Sequence, residues 1–167
     1  MSFTVAHHSR SFIVDGMEGR ILVTGGSGFV GGAVCNALRE KGCAVRGTGR
    51  RDRPDTLHKD VEYVSADLTD PEAVQRLCVD VSGIVHVAAK AGVWGPFSEY
   101  EQANVSATQV LLDAAKAGGV RVFVFTSTPS VVFNGEPIRG GDESLPYGNN
   151  FPCAYPATKA EAERRVL

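Results

Sequence analysis

Tyr155 and Lys159 form the pair whose types and spacing could carry acid–base chemistry. They lie four residues apart in a segment of good helix formers that begins near Ala154, so a helix places both on one face. A phenol with an ordinary pKa of about 10 is a poor proton donor or acceptor at neutral pH. A neighbouring ammonium group favours the phenolate and lowers that pKa towards the working range. The pair therefore predicts proton transfer at an oxygen; by spacing alone, a half-exposed tyrosine beside an unrelated surface lysine is the alternative.

The second chemical signal is a glycine-rich turn early in the chain. Residues 21–23 are a short apolar run, as in a parallel strand buried on both faces. Gly25, Gly28 and Gly31 follow, and residues 33–38 have a helical pattern. A strand, a glycine turn and a helix start in that order predict a diphosphate cradle, because glycines allow close backbone approach and helix N–H groups face the anion. For the glycines alone, a tight turn without a ligand is the alternative.

Predicted strands and helices alternate along the chain around these residues. The patterns predict strands at 43–48, 61–65, 83–89 and 120–126, helices at 72–78, at 99–117 and from 154, and a loop at 129–152. Thr69 or Asp70, followed by Pro71, is the expected N-cap of the second helix. Regular alternation predicts an α/β fold with a Rossmann-type, doubly wound parallel sheet. Ligands of such sheets bind at the carboxyl ends of the strands, where both chemical signals fall.

Composition narrows the function classes. The 167 residues carry a formal net charge of −2 and no basic run interleaved with aromatic residues, which argues against nucleic acid as a partner. No apolar run approaches the roughly 18 residues that a membrane span needs. Four scattered cysteines without a C-x-x-C pair predict reduced thiols in a cytoplasmic protein, and no cluster has metal-ligand spacing. His86 is expected to be a core histidine, and residues 1–17 a disordered or misassigned N-terminal tail.

Three motifs in this order carry a family resemblance. Thr24-Gly25-x-x-Gly28-x-x-Gly31, Asp67-x-x-Asp70 and Tyr155-x-x-x-Lys159 resemble those of the extended short-chain dehydrogenase/reductases, over nearly all of 18–167. The stretches 86–95, 126–133 and 155–161 are most similar to the 3β-hydroxysteroid dehydrogenase/isomerase branch, and within it to the bacterial 2-alkyl-3-oxoalkanoate reductases. The resemblance implies an NAD(P)-dependent oxidoreductase. It would transfer hydride between nicotinamide and a hydroxyl or carbonyl of an apolar substrate, a 3β-hydroxysteroid or a long-chain 3-oxo acid.

The resemblance also implies residue roles. Tyr155 would exchange the proton, and Lys159 would tune Tyr155 and bind the nicotinamide ribose. Thr128, with Ser127 as the fallback, would hold the substrate oxygen, or both hydroxyls merely cap the end of the strand. Asn104 would help to order the lysine through water, or is simply a polar residue of its helix. The implied cofactor-binding residues are Gly25, Ser27, Gly28, Phe29, Val30, Gly31, Arg50, Asp67, Leu68, Ala88, Ala89, Lys90, Tyr155 and Lys159.

The end of the second strand indicates which dinucleotide is preferred. NAD-binding folds usually carry an acidic residue about 20 residues past the glycines, which binds the ribose 2′-OH. This chain has Gly49 there, followed by Arg50 and Arg51. Loss of the carboxylate removes a clash with a 2′-phosphate, and a guanidinium can bind that phosphate with two hydrogen bonds. NADP(H) is therefore favoured over NAD(H), although Asp52 is placed to serve NAD after a loop shift.

The resemblance further implies that the chain is incomplete. Residues 18–167 would form an NAD(P)-binding Rossmann domain truncated after the catalytic helix, with the C-terminal substrate domain missing. A nucleotide-sugar epimerase or dehydratase is the nearest alternative, and a non-catalytic cofactor-binding remnant is expected if the chain really ends at 167. The expected partners are a small apolar substrate and a second copy, through the helix at 99–117. Val93, Trp94 and Phe97 are expected either to line an apolar pocket or to pack their own loop.

Overall fold

The computed structural model describes residues 19–142 and 144–167, and its centre is a five-stranded parallel sheet. The strand order is β3-β2-β1-β4-β5. The strands are β1 (Arg20–Thr24), β2 (Ala44–Gly49), β3 (Glu62–Ser65), β4 (Val81–His86) and β5 (Val122–Phe125). This order confirms the Rossmann-type parallel sheet. The predicted tail at 1–17 lies outside the described residues.

Helices cover both faces of the sheet. They are α1 (Phe29–Glu40), α2 (Pro71–Leu77), α3 (Phe97–Tyr100), a π-helical segment (Glu101–Ser106), α4 (Ala107–Ala117), a 3-10 turn (Pro129–Val132) and α5 (Ala154–Val166). One buried cluster joins Leu22, Ile84 and Phe123 of the strands to α2 and α4, and a second joins Ile21 and Val23 to α1. Alternate β1 side chains thus enter opposite cores, as a doubly wound sheet requires. Within the described residues, no helix is both long and apolar enough to cross a membrane.

The N-terminus of α2 shows how local chemistry fixes an element. Of the two expected caps, the structure uses Asp70, whose Oδ1 accepts hydrogen bonds from the backbone N–H groups of Glu72 and Ala73 at 3.0 and 3.3 Å. Pro71 occupies the first helical position, where its missing N–H leaves no bond unmade. Thr69 instead donates its hydroxyl to Asp67, at the end of β3.

Two elements differ from the sequence prediction in ways that matter for the site. The fourth strand ends at His86, three residues before the predicted end, because its neighbour β1 ends at Thr24 in register with His86. The next two N–H groups, of Val87 and Ala88, donate to the Thr24 hydroxyl at 3.0 and 3.1 Å. The predicted helix at 99–117 begins at Phe97 and includes the π-helical segment, a wide turn that often occurs at functional sites.

Candidate active site

A cleft of about 920 Å³ lies where the strands end. Its walls come from the turn after β1, the ends of β2 and β3, the loop after β4, the π-helical segment and the start of α5. All of the sequence-predicted cofactor residues line it: Gly25, Ser27, Gly28, Phe29, Val30, Gly31, Arg50, Asp67, Leu68, Ala88, Ala89, Lys90, Tyr155 and Lys159. The fold therefore brings together residues that are up to 134 positions apart in the sequence.

The glycine turn is packed so closely that side chains are excluded. Gly25 has φ +72°, and a Cβ there would lie 3.0 Å from the Ala88 backbone nitrogen. A Cβ on Gly31 would lie 2.1 Å from the Gly25 carbonyl oxygen, so the first turn of α1 rests directly on the glycine turn. Gly28 precedes α1, which has neither a side-chain cap nor an acidic residue in its first turn. Uncapped N–H groups at a helix N-terminus that lines a cleft favour an anionic ligand.

Lys159 projects from α5 into the opposite wall of the cleft. Its side chain is buried, its Nζ donates to the Thr126 carbonyl oxygen at 2.7 Å, and the same atom lies 3.7 Å from the centroid of the Phe125 ring. Burial lowers the pKa of Lys159 to about 8, and the Glu163 carboxylate one helical turn further on acts in the opposite direction. Tyr155 is half-buried one turn before Lys159 and lines the same cleft.

The two hydroxyls after β5 take different positions. Ser127 lines the cleft, and its hydroxyl donates to the Glu163 carboxylate. Thr128 is the N-cap of the 3-10 turn, where its Oγ1 accepts from the Ser130 N–H at 3.4 Å. The structure thus brings Ser127, Tyr155 and Lys159 together at the cleft and holds Thr128 in capping geometry beside them.

The far end of the cleft carries the charged residues predicted for dinucleotide choice. Asp67 Oδ1 accepts from the Thr69 N–H and hydroxyl at 2.9 and 2.8 Å, and these bonds, with a smaller contribution from Arg50, lower the pKa of Asp67. The Arg51 guanidinium donates to the Ser27 carbonyl oxygen at 3.1 Å. Gly49 ends β2 beside the Ser27 hydroxyl, so no carboxylate stands at this strand end.

Asn104 of the π-helical segment has a fully occupied amide group. Its Nδ2 donates to the Lys90 carbonyl oxygen and to Thr158 Oγ1, both at 3.0 Å, and its Oδ1 accepts from the Lys90 N–H at 2.7 Å. Thr158 immediately precedes Lys159. The side chain therefore clamps the loop after β4 to α5, and the sequence-based expectation of a water-mediated role for Asn104 stays a prediction.

Several contacts of the site have no sequence signal that could have revealed them. The bond between Asn104 and Thr158 joins residues 54 positions apart, and Thr24 contributes through its side chain rather than as part of the glycine pattern.

His86 is confirmed as a core histidine, because only 1% of it is exposed. Across 19–142 and 144–167, no three His, Cys, Asp or Glu side chains are grouped to hold a metal ion.

An apolar loop lies beside the mouth of the cleft. Val93, Trp94 and Phe97 are exposed, with 88% of Trp94 accessible. The loop is anchored underneath by Tyr100, which is 1% exposed and whose hydroxyl donates to the Trp94 carbonyl oxygen at 2.8 Å. None of the three side chains lines the cleft, and Trp94 is too exposed to pack its own loop, so a role for this loop in an apolar pocket stays a prediction.

Comparison with known proteins decides the family. The model of the 3-beta hydroxysteroid dehydrogenase/isomerase family matches residues 22–167, which include the glycine turn, Asp67, Tyr155 and Lys159. The chain belongs to this family.

Individual relatives agree with that assignment. The chain is 43% identical over 150 residues to the 2-alkyl-3-oxoalkanoate reductase of Stenotrophomonas maltophilia, covering 89% of this chain and 46% of the relative. It is 40% identical over 156 residues to a 3 beta-hydroxysteroid dehydrogenase/Delta 5-->4-isomerase of Mycobacterium tuberculosis, covering 89% and 42%. The chain therefore spans a little under half the length of these curated relatives.

A solved structure supports the fold at similar identity. A short-chain dehydrogenase/reductase superfamily protein of Agrobacterium tumefaciens, determined with bound NAD, is 38% identical to this chain with a TM-score of 0.76. The match covers 88% of this chain and 44% of that one. This structure therefore supports the fold over most of the chain.

Proposed function

We propose that the protein is a nicotinamide-dependent oxidoreductase acting on a hydroxyl or carbonyl of an apolar substrate. The observation that carries the proposal is the common cleft: the glycine turn that suits a diphosphate and the Tyr155–Lys159 pair that suits proton transfer line the same cavity. Family membership supports the same reaction class, since the relatives are named as dehydrogenases and reductases.

The residues present fit a dinucleotide. The uncapped start of α1 and the closely packed Gly25 and Gly31 would hold its diphosphate, Asp67 and Leu68 its adenine end, and Ala88 and Lys159 its nicotinamide end. When bound, the cofactor supplies or accepts the hydride. The protein's contribution is then orientation and charge placement around the reacting oxygen.

Proton transfer is assigned to the α5 pair. Tyr155 would give or take the proton on the substrate oxygen, and the Lys159 ammonium, still mostly protonated at pH 7 with a pKa of about 8, would favour the phenolate. Thr128 stays the predicted group that holds the oxygen. Ser127 is the fallback, supported by its place in the cleft wall.

Preference for NADP(H) is a further part of the proposal. Because residue 49 is glycine, the strand end carries no carboxylate that would clash with a 2′-phosphate. Because Arg51 donates to the Ser27 carbonyl oxygen, Arg50 is the guanidinium proposed to bind the phosphate. Tighter binding of NADH than of NADPH, or an Arg50→Ala variant with unchanged NADPH affinity, would remove this part of the proposal.

The apolar substrate class rests on two supports. The relatives are named for 2-alkyl-3-oxoalkanoates and 3β-hydroxysteroids, and Val93, Trp94 and Phe97 present apolar surface beside the cleft.

A further substrate domain, a homodimer through 99–117 and a cytoplasmic location stay predictions. So do the two alternatives, a nucleotide-sugar epimerase or dehydratase and a non-catalytic remnant.

Turnover by the whole natural protein tests the proposal. A Tyr155→Phe variant should lose at least a hundredfold in kcat with a 2-alkyl-3-oxo acid or a 3-oxosteroid and NADPH, because the proton donor is gone, and should keep its NADPH affinity. Tyr147→Phe is the matched control, since the Tyr147 ring stacks on Arg164 outside the cleft and phenylalanine keeps that contact. Equal kcat for both variants would refute the assigned role. A cofactor that stays bound and is regenerated in each cycle would favour the epimerase.

A further inference from the structure

A buried chain of polar side chains crosses the core directly beneath the cleft. Thr24, at the end of β1, lies 2.7 Å from His86 Nδ1 through its Oγ1, and His86 Nε2 lies 3.0 Å from Thr108 Oγ1 in α4. None of the three residues is more than 1% exposed. Phe123 and Phe125 of β5 flank the imidazole ring, at centroid distances of 6.0 and 5.7 Å.

The contacts at each end fix the direction of every hydrogen bond. Thr24 Oγ1 accepts the N–H groups of Val87 and Ala88, so the Thr24 hydroxyl proton is left to be donated to His86 Nδ1. Thr108 donates its hydroxyl proton to the Asn104 carbonyl oxygen at 2.6 Å, so Thr108 Oγ1 accepts from His86 Nε2. The neutral imidazole with its proton on Nε2 satisfies the whole chain. The other tautomer leaves the Thr24 hydroxyl without an acceptor among the described residues, and an unsatisfied buried donor is costly.

Both ends of this chain reach the cleft. The Val87–Ala88 backbone held by Thr24 forms part of the wall, and Ala88 lies against Gly25 of the glycine turn. At the other end, Asn104 clamps the Lys90 backbone and donates to Thr158, the residue before Lys159. One continuous set of hydrogen bonds thus connects the dinucleotide side of the cleft with the proton-transfer side.

We propose that His86 is a positioning residue. Its Nε2–H tautomer fixes the position of the Val87–Ala88 backbone relative to the start of α5. This inference rests on the proposed function, because hydride transfer and proton transfer in one cleft require its two sides to keep a fixed relative position. His86 touches neither cofactor nor substrate and acts through Thr24 and through Thr108 and Asn104. A histidine that merely fills the core would give stability and nothing else.

Two amide variants of His86 test the two ends of the hydrogen-bonded chain separately. In His86→Asn the side-chain oxygen can replace Nδ1 and keep the Thr24 bond, while the donor to Thr108 is lost. In His86→Gln the longer amide can keep the donor to Thr108, while the acceptor for Thr24 is lost. We expect His86→Gln to weaken NADPH binding about tenfold, and His86→Asn to lower kcat about tenfold with NADPH affinity within twofold of wild type.

Melting temperature, NADPH affinity, kcat and NMR together distinguish a positioning role of His86 from a purely stabilising role. They also distinguish both from failure of the proposed function. Both variants melting at a lower temperature, with NADPH affinity and kcat unchanged per folded molecule, would overturn the inference. Nitrogen NMR of the wild-type histidines at pH 7 gives an independent result that needs no variant to fold: a pyrrole-type Nε2 on His86 supports the inference, and a pyrrole-type Nδ1 overturns it. Absence of NADPH binding by the wild type would instead refute the proposed function and leave the NMR result standing.

Discussion

Replacing Gly31 with alanine tests the cofactor cradle, and the neighbouring Gly32 supplies the matched control. Both residues lie in the first turn of α1, so both substitutions gain the same helix propensity, about 1 kcal/mol. They differ in packing. A Cβ on Gly31 would lie 2.1 Å from the Gly25 carbonyl oxygen, whereas a Cβ on Gly32 would lie 3.4 Å from the Gly26 oxygen, at the edge of ordinary contact.

The expected magnitude follows from that difference. In Gly31→Ala the start of α1 and the glycine turn must separate by about 1 Å, and overpacking of this kind costs roughly 1–3 kcal/mol or more. Because Gly32→Ala keeps the propensity gain without the clash, the two variants should differ in the free energy of unfolding by about 3 kcal/mol. For a chain of this size that corresponds to roughly 10 °C in Tm.

Thermal unfolding and NADPH titration of the two variants provide the assay. Displacing the start of α1 moves the N–H groups proposed to face the diphosphate, so Gly31→Ala should bind NADPH at least tenfold more weakly and Gly32→Ala within twofold of wild type. Equal melting temperatures and equal NADPH affinities for the two variants would refute the packing argument and the cradle together.

Four further predictions follow from single contacts. Asp70→Ala should destabilise the chain by about 1 kcal/mol in urea unfolding, and Asp70→Asn by much less, because only alanine removes the α2 cap; equal losses would contradict the capping role. Burial lowers the pKa of Lys159 to about 8, so between pH 8 and 10.5 the unfolded chain binds more protons than the folded chain. The wild-type free energy of unfolding should therefore rise with pH across that window, relative to that of Lys159→Met. Parallel curves for the two proteins would contradict the lowered pKa. Burial lowers the pKa of His86 to about 3, so below pH 6.5 the unfolded chain binds a proton that the folded chain does not. The wild-type free energy of unfolding should therefore fall by up to about 1.4 kcal/mol per pH unit below pH 6.5, relative to that of His86→Gln. Parallel curves for the two proteins would contradict this prediction. Arg50→Ala should weaken NADPH at least tenfold and leave NADH unchanged, measured by titration of both cofactors; a matching loss for NADH would argue against a 2′-phosphate contact.

The sheet could be predicted because its signal is local. All five strands overlap a predicted strand, and β1 with its apolar run and glycine turn needs no distant partner to be recognised. The cofactor residues followed from the family pattern, and all of them line the cleft at the edge of the sheet where the carboxyl ends of the parallel strands meet.

The remaining features depend on contacts between distant residues. The end of β4 is set by the Thr24 hydroxyl, 63 positions before Val87, and no apolar pattern encodes it. The π-helical segment around Asn104 has ordinary helix-forming neighbours and no distinctive composition. The orientations of Ser127 and Thr128 depend on Pro129 and on Glu163 of α5, so counting along the chain could not separate the two hydroxyls.

A titration of the folded protein with reduced dinucleotide tests whether the cleft binds a nicotinamide cofactor. Trp94 is the single tryptophan, and its loop follows Lys90 and Ala91 of the cleft wall, so its emission reports on that wall. We expect saturable quenching of Trp94 by NADPH at one site, with energy transfer to the bound nicotinamide and weaker quenching by NADH. No change in Trp94 emission with either cofactor, in protein that shows a cooperative melt, would contradict it.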